Sequence, residues 1–255
     1  MVRSGGRTAQ TMVLVMSATV SPTRISHTPP LESGDRLSRE EFERRYHAMP
    51  HVKKAELIEG EVYMPSPVSW EFHANPHGLV VLWLATYTSS TPGTGAGGNP
   101  TIRLDAENEP QPDVVMIVRP ECGGRAEVDA DGYLSGSPEF ICEISASTAA
   151  IDLNRKLNVY RHNRVSEYVV WRVYDEEVDW FVLRGEQFER LTPDADGLLK
   201  SVGFPGLWLN PAALVRRDAA AVLAVLARGL ASPEHAAFVE QLAARRDLPR
   251  GSVSS

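Results

Sequence analysis

Two acidic residues stand within apolar segments of the chain, where an unpaired carboxylate is costly. Asp113 follows Pro112 and opens the run VVMIV, and Glu143 lies near the end of the run EFICEI. A buried carboxylate must be paired with a cation or with hydrogen-bond donors to offset its desolvation. On neighbouring strands, two such carboxylates could share a divalent cation. Asp113 and Glu143 are therefore candidate metal ligands.

Three further polar residues, Asp152, Lys156 and Tyr160, follow at intervals of four residues. In a helix this spacing places their side chains on one face, and that face could look onto the edge of the sheet, with Asp152 and Tyr160 supporting the site. The same spacing fits a surface ion pair between Asp152 and Lys156, which stabilises a helix by roughly 0.2–0.5 kcal/mol. Both interpretations remain open from the spacing alone.

Hydrophobic patterning predicts the strands that must position these residues. Nearly continuous apolar runs at residues 113–118 and 139–144 are typical of strands buried on both faces. A third strand is predicted beside them at residues 101–104, and further strands at residues 168–173 and 178–183. The order of elements predicts a mixed α/β fold, in which an α+β mixed sheet is flanked by helices.

Local signals place the helices and turns. Ser38 and Glu41 have the spacing of a capping box, which predicts a helix over residues 38–49. Apolar residues recur at helical spacing over residues 70–87 and 151–163. A hairpin and a connecting loop are predicted between these helices.

The hairpin is predicted at residues 55–65, around Gly60, and the loop at the Gly-rich residues 91–100. The loop has a GxGG-like run, but this run does not follow a strand and open a helix, as a phosphate-binding loop would. His73 and His77 have the spacing of a zinc pair, but Pro76 lies between them, which favours local structural roles.

Composition predicts three regions. Residues 1–35 are rich in Ser, Thr, Pro, Gly and Arg, which predicts a disordered leader. The folded domain is predicted over residues 36–210. Residues 211–255 are predicted to form a C-terminal helical extension with a short flexible tail, because two Ala- and Leu-rich segments have high helix propensity. This extension would cap the domain or form the contact of a homodimer.

Two features bear on compartment and partners. The chain has two cysteines without zinc-site spacing, and no apolar run approaches the roughly 18 residues of a membrane span, so we expect a cytoplasmic protein without membrane association. The net charge of −7 weighs against tight nonspecific binding of nucleic acid. A local basic groove remains open at Lys53 and Lys54, or at the basic residues between positions 155 and 164.

Four ordered motifs make the chain resemble a known family. They are AELIEGEVYMPSPVSWEFH at residues 55–73, QPDVVMIV at 111–118, PEFICEISASTAAID at 138–152 and RKLNVYRHNRVSEYVVW at 155–171. Their order and spacing over residues 37–210 are similar to those of the Uma-two family of putative restriction endonucleases, a bacterial branch of the PD-(D/E)XK nuclease superfamily.

The resemblance implies a restriction-endonuclease-like core. In such a core Asp113 is the aspartate of the PD motif, Glu143 is the second acidic ligand, and Glu56 is an additional acidic residue of the site. The catalytic lysine is placed on Lys156 in the following helix, because the usual position, two residues after the second acid, holds Ser145 in this chain.

The chemistry implied is metal-dependent hydrolysis of phosphodiester bonds in DNA. The carboxylates of Asp113 and Glu143 and the carbonyl of Ile144 are hard oxygen ligands, which favour Mg²⁺ or Mn²⁺. The bound ion would lower the pKa of a water molecule, and Lys156 would position that water and stabilise the transition state. The alternative is a noncatalytic binding or assembly module that retains the nuclease fold.

Overall fold

The computed structural model describes Met1 and residues 28–64 and 67–247. Most of the predicted disordered leader, residues 2–27, lies outside the described residues, as does the predicted flexible tail at residues 248–255.

The helices of the described chain follow the predicted segments closely. They are α1 (Arg39–His47), α2 (Asn75–Ser89), α3 (Ala149–Ile151), α4 (Leu157–His162), α5 (Pro211–Val215), α6 (Ala219–Leu230) and α7 (Pro233–Arg246). A short 3-10 helix spans Pro120–Cys122, and two π-helical turns, Trp70–Ala74 and Asp152–Lys156, run directly into α2 and α4. Ser38 caps α1 as predicted, since its side chain accepts a hydrogen bond from the Glu41 backbone N–H.

The strands are β1 (Glu56–Ile58), β2 (Glu61–Tyr63), β3 (Thr94–Gly98), β4 (Ile102–Arg103), β5 (Val114–Val118), β6 (Glu127–Val128), β7 (Leu134–Ser135), β8 (Phe140–Ser145), β9 (Glu167–Arg172), β10 (Glu177–Arg184), β11 (Gln187–Arg190), β12 (Leu199–Lys200) and β13 (Trp208–Leu209). Six of them form the central sheet in the order β11-β10-β9-β8-β5-β3. Strands β8 and β9 are parallel, and the other neighbours are antiparallel. The predicted mixed sheet with flanking helices is confirmed.

The two faces of the central sheet carry different cores. One core lies against α2, α6 and α7 and includes Trp83 and Phe140. The other lies on the opposite face and includes Ile141 and Tyr160 of α4. Because side chains alternate along a strand, Glu143 faces the same side as Ile141. The strand period therefore directs the Glu143 carboxylate toward α4 and the turn before it.

Two strand predictions were wrong. The Gly-rich stretch was expected to be a loop, but β3 lies within it and forms an edge of the central sheet, with Thr94 opposite Val118 of β5. Glycine has a low intrinsic preference for strands, so pairing with β5 overrides the local signal. The strand expected at residues 101–104 is reduced to β4, which belongs to a separate three-stranded sheet with β6 and β7.

The predicted C-terminal helices pack against the central sheet. Val222 and Leu226 of α6 and Leu242 of α7 are buried in the core that contains Trp83. In the described part of the chain, no single helix is long and apolar enough to cross a membrane, although α6 and α7 together reach that length and composition across a 67° bend.

Residues 28–35, which the sequence placed in the leader, contact the folded domain. Leu31 is buried beside Phe42 of α1. The Gly34 backbone N–H donates a hydrogen bond of 2.9 Å to the carbonyl of Val62 in β2. We therefore propose that the segment containing Leu31 and Gly34 belongs to the folded domain.

Leu31→Ala is expected to lower the free energy of unfolding by about 2–4 kcal/mol, because it removes buried apolar atoms and leaves a cavity. Urea denaturation measures this change. Leu82→Ala is the matched control, since Leu82 is an exposed residue of α2, and it should cost less than about 0.5 kcal/mol. Equal stability of the two variants would show that residues 28–35 add nothing to the fold.

Candidate active site

The buried end of the site is built around the Glu143 carboxylate. Lys156 Nζ lies 2.9 Å from Glu143 Oε1 and 2.9 Å from Glu56 Oε1. The Tyr160 hydroxyl donates a hydrogen bond of 3.1 Å to Glu143 Oε1. Four groups from β1, β8, the second π-helical turn and α4 therefore meet at one point on the face of the sheet.

Asp113 joins this cluster through the backbone. Its N–H donates to Glu143 Oε2 at 3.3 Å, and its own Oδ2 accepts a hydrogen bond of 2.8 Å from the Ile144 N–H. These two bonds link the start of β5 to the end of β8. The sequence-based expectation that Asp113 and Glu143 lie on neighbouring strands is confirmed, and their side chains meet at the same end of the sheet.

The turn Asp152–Lys156 places Lys156 deep in the structure. The side chains of Asp152 and Lys156 are only 4% and 6% exposed, and the Lys156 Nζ–Asp152 Oδ1 distance is 3.9 Å. Thr148 donates a hydrogen bond of 2.6 Å to Asp152 Oδ2. The interpretation of Asp152 and Lys156 as a surface ion pair was therefore wrong. Lys156 lies closer to Glu56 and Glu143 than to Asp152.

Glu56 belongs to the hairpin β1–β2, which was predicted from the sequence. Its Oε1 accepts hydrogen bonds from Lys156 and from the Gln111 backbone N–H, the latter at 2.8 Å. Gln111 immediately precedes the Pro112–Asp113 pair. The hairpin thus positions Glu56. Through the bond from Glu56 to Gln111, it also positions the segment that leads to Asp113.

Negative charge exceeds positive charge in the buried part of the site. Burial disfavours the charged amine of Lys156, but the carboxylates, Glu143 foremost, outweigh this effect and hold its pKa well above the usual value. Burial raises the pKa of Glu143, and the Asp113 charge adds to the rise although Lys156 opposes it. The single amine of Lys156 therefore faces three acidic side chains, those of Glu56, Glu143 and Asp152. A further cation at this end of the sheet would be stabilised.

Two histidines of the site have the sequence spacing of a zinc pair, but the sequence favoured surface or local structural roles for them. His73 Nδ1–H donates to the Ile144 carbonyl at 3.1 Å, and His77 Nε2–H donates to the Asp113 carbonyl at 3.0 Å. Their rings stack with centroids 6.0 Å apart. Both rings therefore make structural hydrogen bonds, and their carbonyl partners, which are distant in sequence, could not be foreseen.

His73 also contacts the Asp113 side chain. Its Nε2 lies 3.3 Å from Asp113 Oδ1, and the hydrogen bond to Asp113 raises the pKa of His73. Lys54 Nζ lies 3.6 Å from the same oxygen. Burial works to raise the pKa of Asp113, but His73 and Lys54 outweigh it and lower the pKa to about 2. The Asp113 carboxylate is therefore ionised at neutral pH.

The donor set fits a hard divalent cation better than zinc. Among the described residues, no group of three or more His, Cys, Asp or Glu side chains converges on a metal position. Mg²⁺ needs fewer protein ligands, because it keeps several waters and is commonly held through one or two carboxylates. Asp113 and Glu143 supply two carboxylates, and the adjoining Ile144 carbonyl supplies another hard oxygen.

The central mixed sheet carries two adjoining acidic residues and a lysine at one end, an arrangement consistent with a restriction-endonuclease-like protein. The model of the Uma2 family, described as "Putative restriction endonuclease", matches residues 39–212, more than half of the chain. The chain belongs to this family, which confirms the resemblance seen in the motifs.

A solved structure is also similar to this chain. It is described as a putative nuclease belonging to DUF820 from Anabaena variabilis ATCC 29413. The sequence identity is 14%, the match covers 68% of this chain and 97% of the other chain, and the TM-score is 0.47. No curated protein matches the chain.

Proposed function

We propose that this protein is a cytoplasmic, metal-dependent endonuclease that hydrolyses phosphodiester bonds in DNA. The observation that carries the proposal is the buried cluster in which Lys156 contacts Glu56 and Glu143 while Asp113 is bonded to both Glu143 and Ile144. Membership of the Uma2 family supports a nuclease, and hence a hydrolase that acts on nucleic acid.

Each residue has a definite part in the proposed reaction. Asp113, Glu143 and the Ile144 carbonyl would hold Mg²⁺ or Mn²⁺, which supplies a water of lowered pKa and neutralises charge on the phosphate. Lys156 donates to Glu143 and Glu56, so it holds both carboxyl groups in place in the cluster. From behind these carboxyl groups its positive charge would also stabilise the developing negative charge of the transition state.

Tyr160 and Asp152 support this arrangement. The Tyr160 hydroxyl fixes the same Glu143 oxygen that Lys156 contacts, which leaves Glu143 Oε2 toward Asp113. Asp152 adds a third carboxylate near the Lys156 amine and is itself held by Thr148. We propose that both residues position the Glu143–Lys156 pair and do not touch the substrate.

A noncatalytic binding module remains the alternative function. The observation that favours it is the net charge of −7, because nucleic-acid affinity rests largely on lysine and arginine contacts to phosphates. The two functions differ in their need for metal. A binding module of this fold does not require a cation at Asp113 and Glu143, whereas the proposed hydrolysis does.

Titration with Mn²⁺ in a calorimeter tests the metal site. We expect wild-type protein to bind Mn²⁺, and Asp113→Asn and Glu143→Gln each to weaken binding by about tenfold or more, because each change removes a ligand charge with little change in volume. Asp196→Asn is the matched control, since this carboxylate is 69% exposed, and it should bind as wild type does. Unchanged affinity in both site variants would remove the metal from the proposal.

A further inference from the structure

Lys54 is a second lysine of the site, and its surroundings differ from those of Lys156. It lies two residues before Glu56, just ahead of strand β1. Its Nζ is 3.6 Å from Asp113 Oδ1, and within the described residues Asp113 is its one ion-pair partner. In contrast, the Lys156 amine is surrounded by three carboxyl groups, those of Glu56, Glu143 and Asp152.

The exposed fractions of the side chains distinguish a solvent-accessible end of the site from a buried end. The side chains of Lys54 and His73 are 26% and 25% exposed. Those of Lys156 and Glu143 are 6% and 4% exposed. A ligand from solvent therefore reaches the cluster from the side of Lys54 and His73, and Lys156 lies behind the carboxylates that the ligand meets.

The hydrogen bonds of the two acidic residues point to the same side. Asp113 Oδ2 is engaged by the Ile144 N–H, and Glu143 Oε1 by Lys156 and Tyr160. The Asp113 oxygen on the open side is Oδ1, which lies beside both His73 Nε2 and Lys54 Nζ. A phosphate that approaches a cation held by Asp113 must therefore pass next to the Lys54 amine.

An approaching phosphodiester also needs a cation at this point. The carboxylates of the site repel a phosphate, and the charge of Lys156 is already engaged by Glu56 and Glu143. A lysine on a flexible stem is a compact point charge suited to phosphate oxygens. Its present distance from Asp113 leaves the amine free to turn toward such an oxygen.

We propose that Lys54 forms the phosphodiester-binding site of this protein and contacts a nonbridging phosphate oxygen of the bound nucleic acid. This inference rests on the proposed nuclease function. The two lysines then have different roles. Lys54 contacts the substrate, and Lys156 acts mainly as a positioning residue for Glu143 and Glu56.

Lys54→Met tests the proposal, and Lys53→Met is its matched control. The sequence offered Lys53 with Lys54 as part of a basic groove, but in the described chain the exposed Lys53 amine donates to the Pro50 carbonyl at 2.9 Å and forms no ion pair with the acidic residues of the site. Binding of a fluorescein-labelled DNA duplex and of its single strand is measured by anisotropy, in Ca²⁺ and in EDTA, over a range of salt concentrations. Thermal melting of each variant verifies that the fold is kept.

In Ca²⁺, we expect Lys54→Met to weaken DNA binding by about tenfold and to lower the slope of log affinity against log salt by about one. Lys53→Met should stay within about twofold of wild type. Equal binding by the two variants, or no DNA binding by wild-type protein in Ca²⁺ or EDTA, overturns the proposal.

The outcome separates this inference from the proposed function. If Mn²⁺ binding and DNA cleavage are absent but Lys54→Met still weakens DNA binding relative to Lys53→Met, the phosphate site stands and the nuclease proposal falls. If the protein cleaves DNA and Lys54→Met leaves both binding and KM unchanged, the nuclease stands and the role of Lys54 falls.

Discussion

Replacing Lys156 by Met is expected to lower the free energy of unfolding by about 3–5 kcal/mol, because removal of one partner leaves buried carboxylates without a counterion. Lys156 is the charge nearest to both Glu56 and Glu143, and its side chain is almost fully buried. Equilibrium denaturation in urea measures the loss. In a domain of this size it corresponds to a fall in Tm on the order of 10 °C.

Two variants make this prediction decisive. Lys53→Met removes an exposed lysine and should change stability by less than about 0.5 kcal/mol. Adding Glu143→Gln to Lys156→Met should recover part of the lost stability, because it removes one of the uncompensated charges. If Lys156→Met is as stable as Lys53→Met, the buried ion-pair cluster does not exist in solution.

The second large effect is expected on DNA cleavage. Asp113→Asn and Glu143→Gln should each lower the cleavage rate by on the order of a thousandfold, since loss of a metal ligand removes both the activated water and the charge stabilisation of the transition state. The rate is measured under single-turnover conditions with Mn²⁺. Asp196→Asn and Glu189→Gln, which change exposed acidic residues, should stay within about threefold of wild type.

These substitutions are chosen so that a lower cleavage rate reflects the chemistry of the site and not a loss of the fold. Asparagine and glutamine preserve the volume of the replaced side chains, and the Asp113 N–H to Glu143 Oε2 contact joins two segments that remain paired through β5 and β8. Circular dichroism of each variant should match that of wild type. Near-normal turnover by either folded site variant would exclude that residue as a required ligand.

The sequence predicted the strands of the site well because their apolar runs are long and their pattern is strong. Residues 113–118 and 139–144 correspond to β5 and β8, which are buried almost throughout. Strand β3 was missed because its residues are mainly glycine, and its structure depends on pairing with β5. Local preference cannot report a contact made across the sheet.

The same limit applies to the site. Asp113 and Glu143 stand out in the sequence because each is a carboxylate in an apolar run, and this signal needs no partner to be seen. The helical spacing indicated that Asp152 and Lys156 lie on one face of a helix. It did not indicate that this face packs against the sheet. Lys54 contacts a residue about 60 positions away along the chain, and no local pattern reveals such a pair.

A metal-dependent nuclease site at Asp113 and Glu143 is tested most directly by cleavage of supercoiled plasmid DNA. Purified wild-type protein is incubated with Mn²⁺ or with EDTA, alongside Asp113→Asn prepared in the same way. We expect nicked and linear DNA from wild-type protein with Mn²⁺, and intact DNA both in EDTA and with Asp113→Asn. Intact DNA from folded wild-type protein with Mn²⁺, or equal cleavage by Asp113→Asn, would contradict a metal-dependent nuclease site at Asp113 and Glu143.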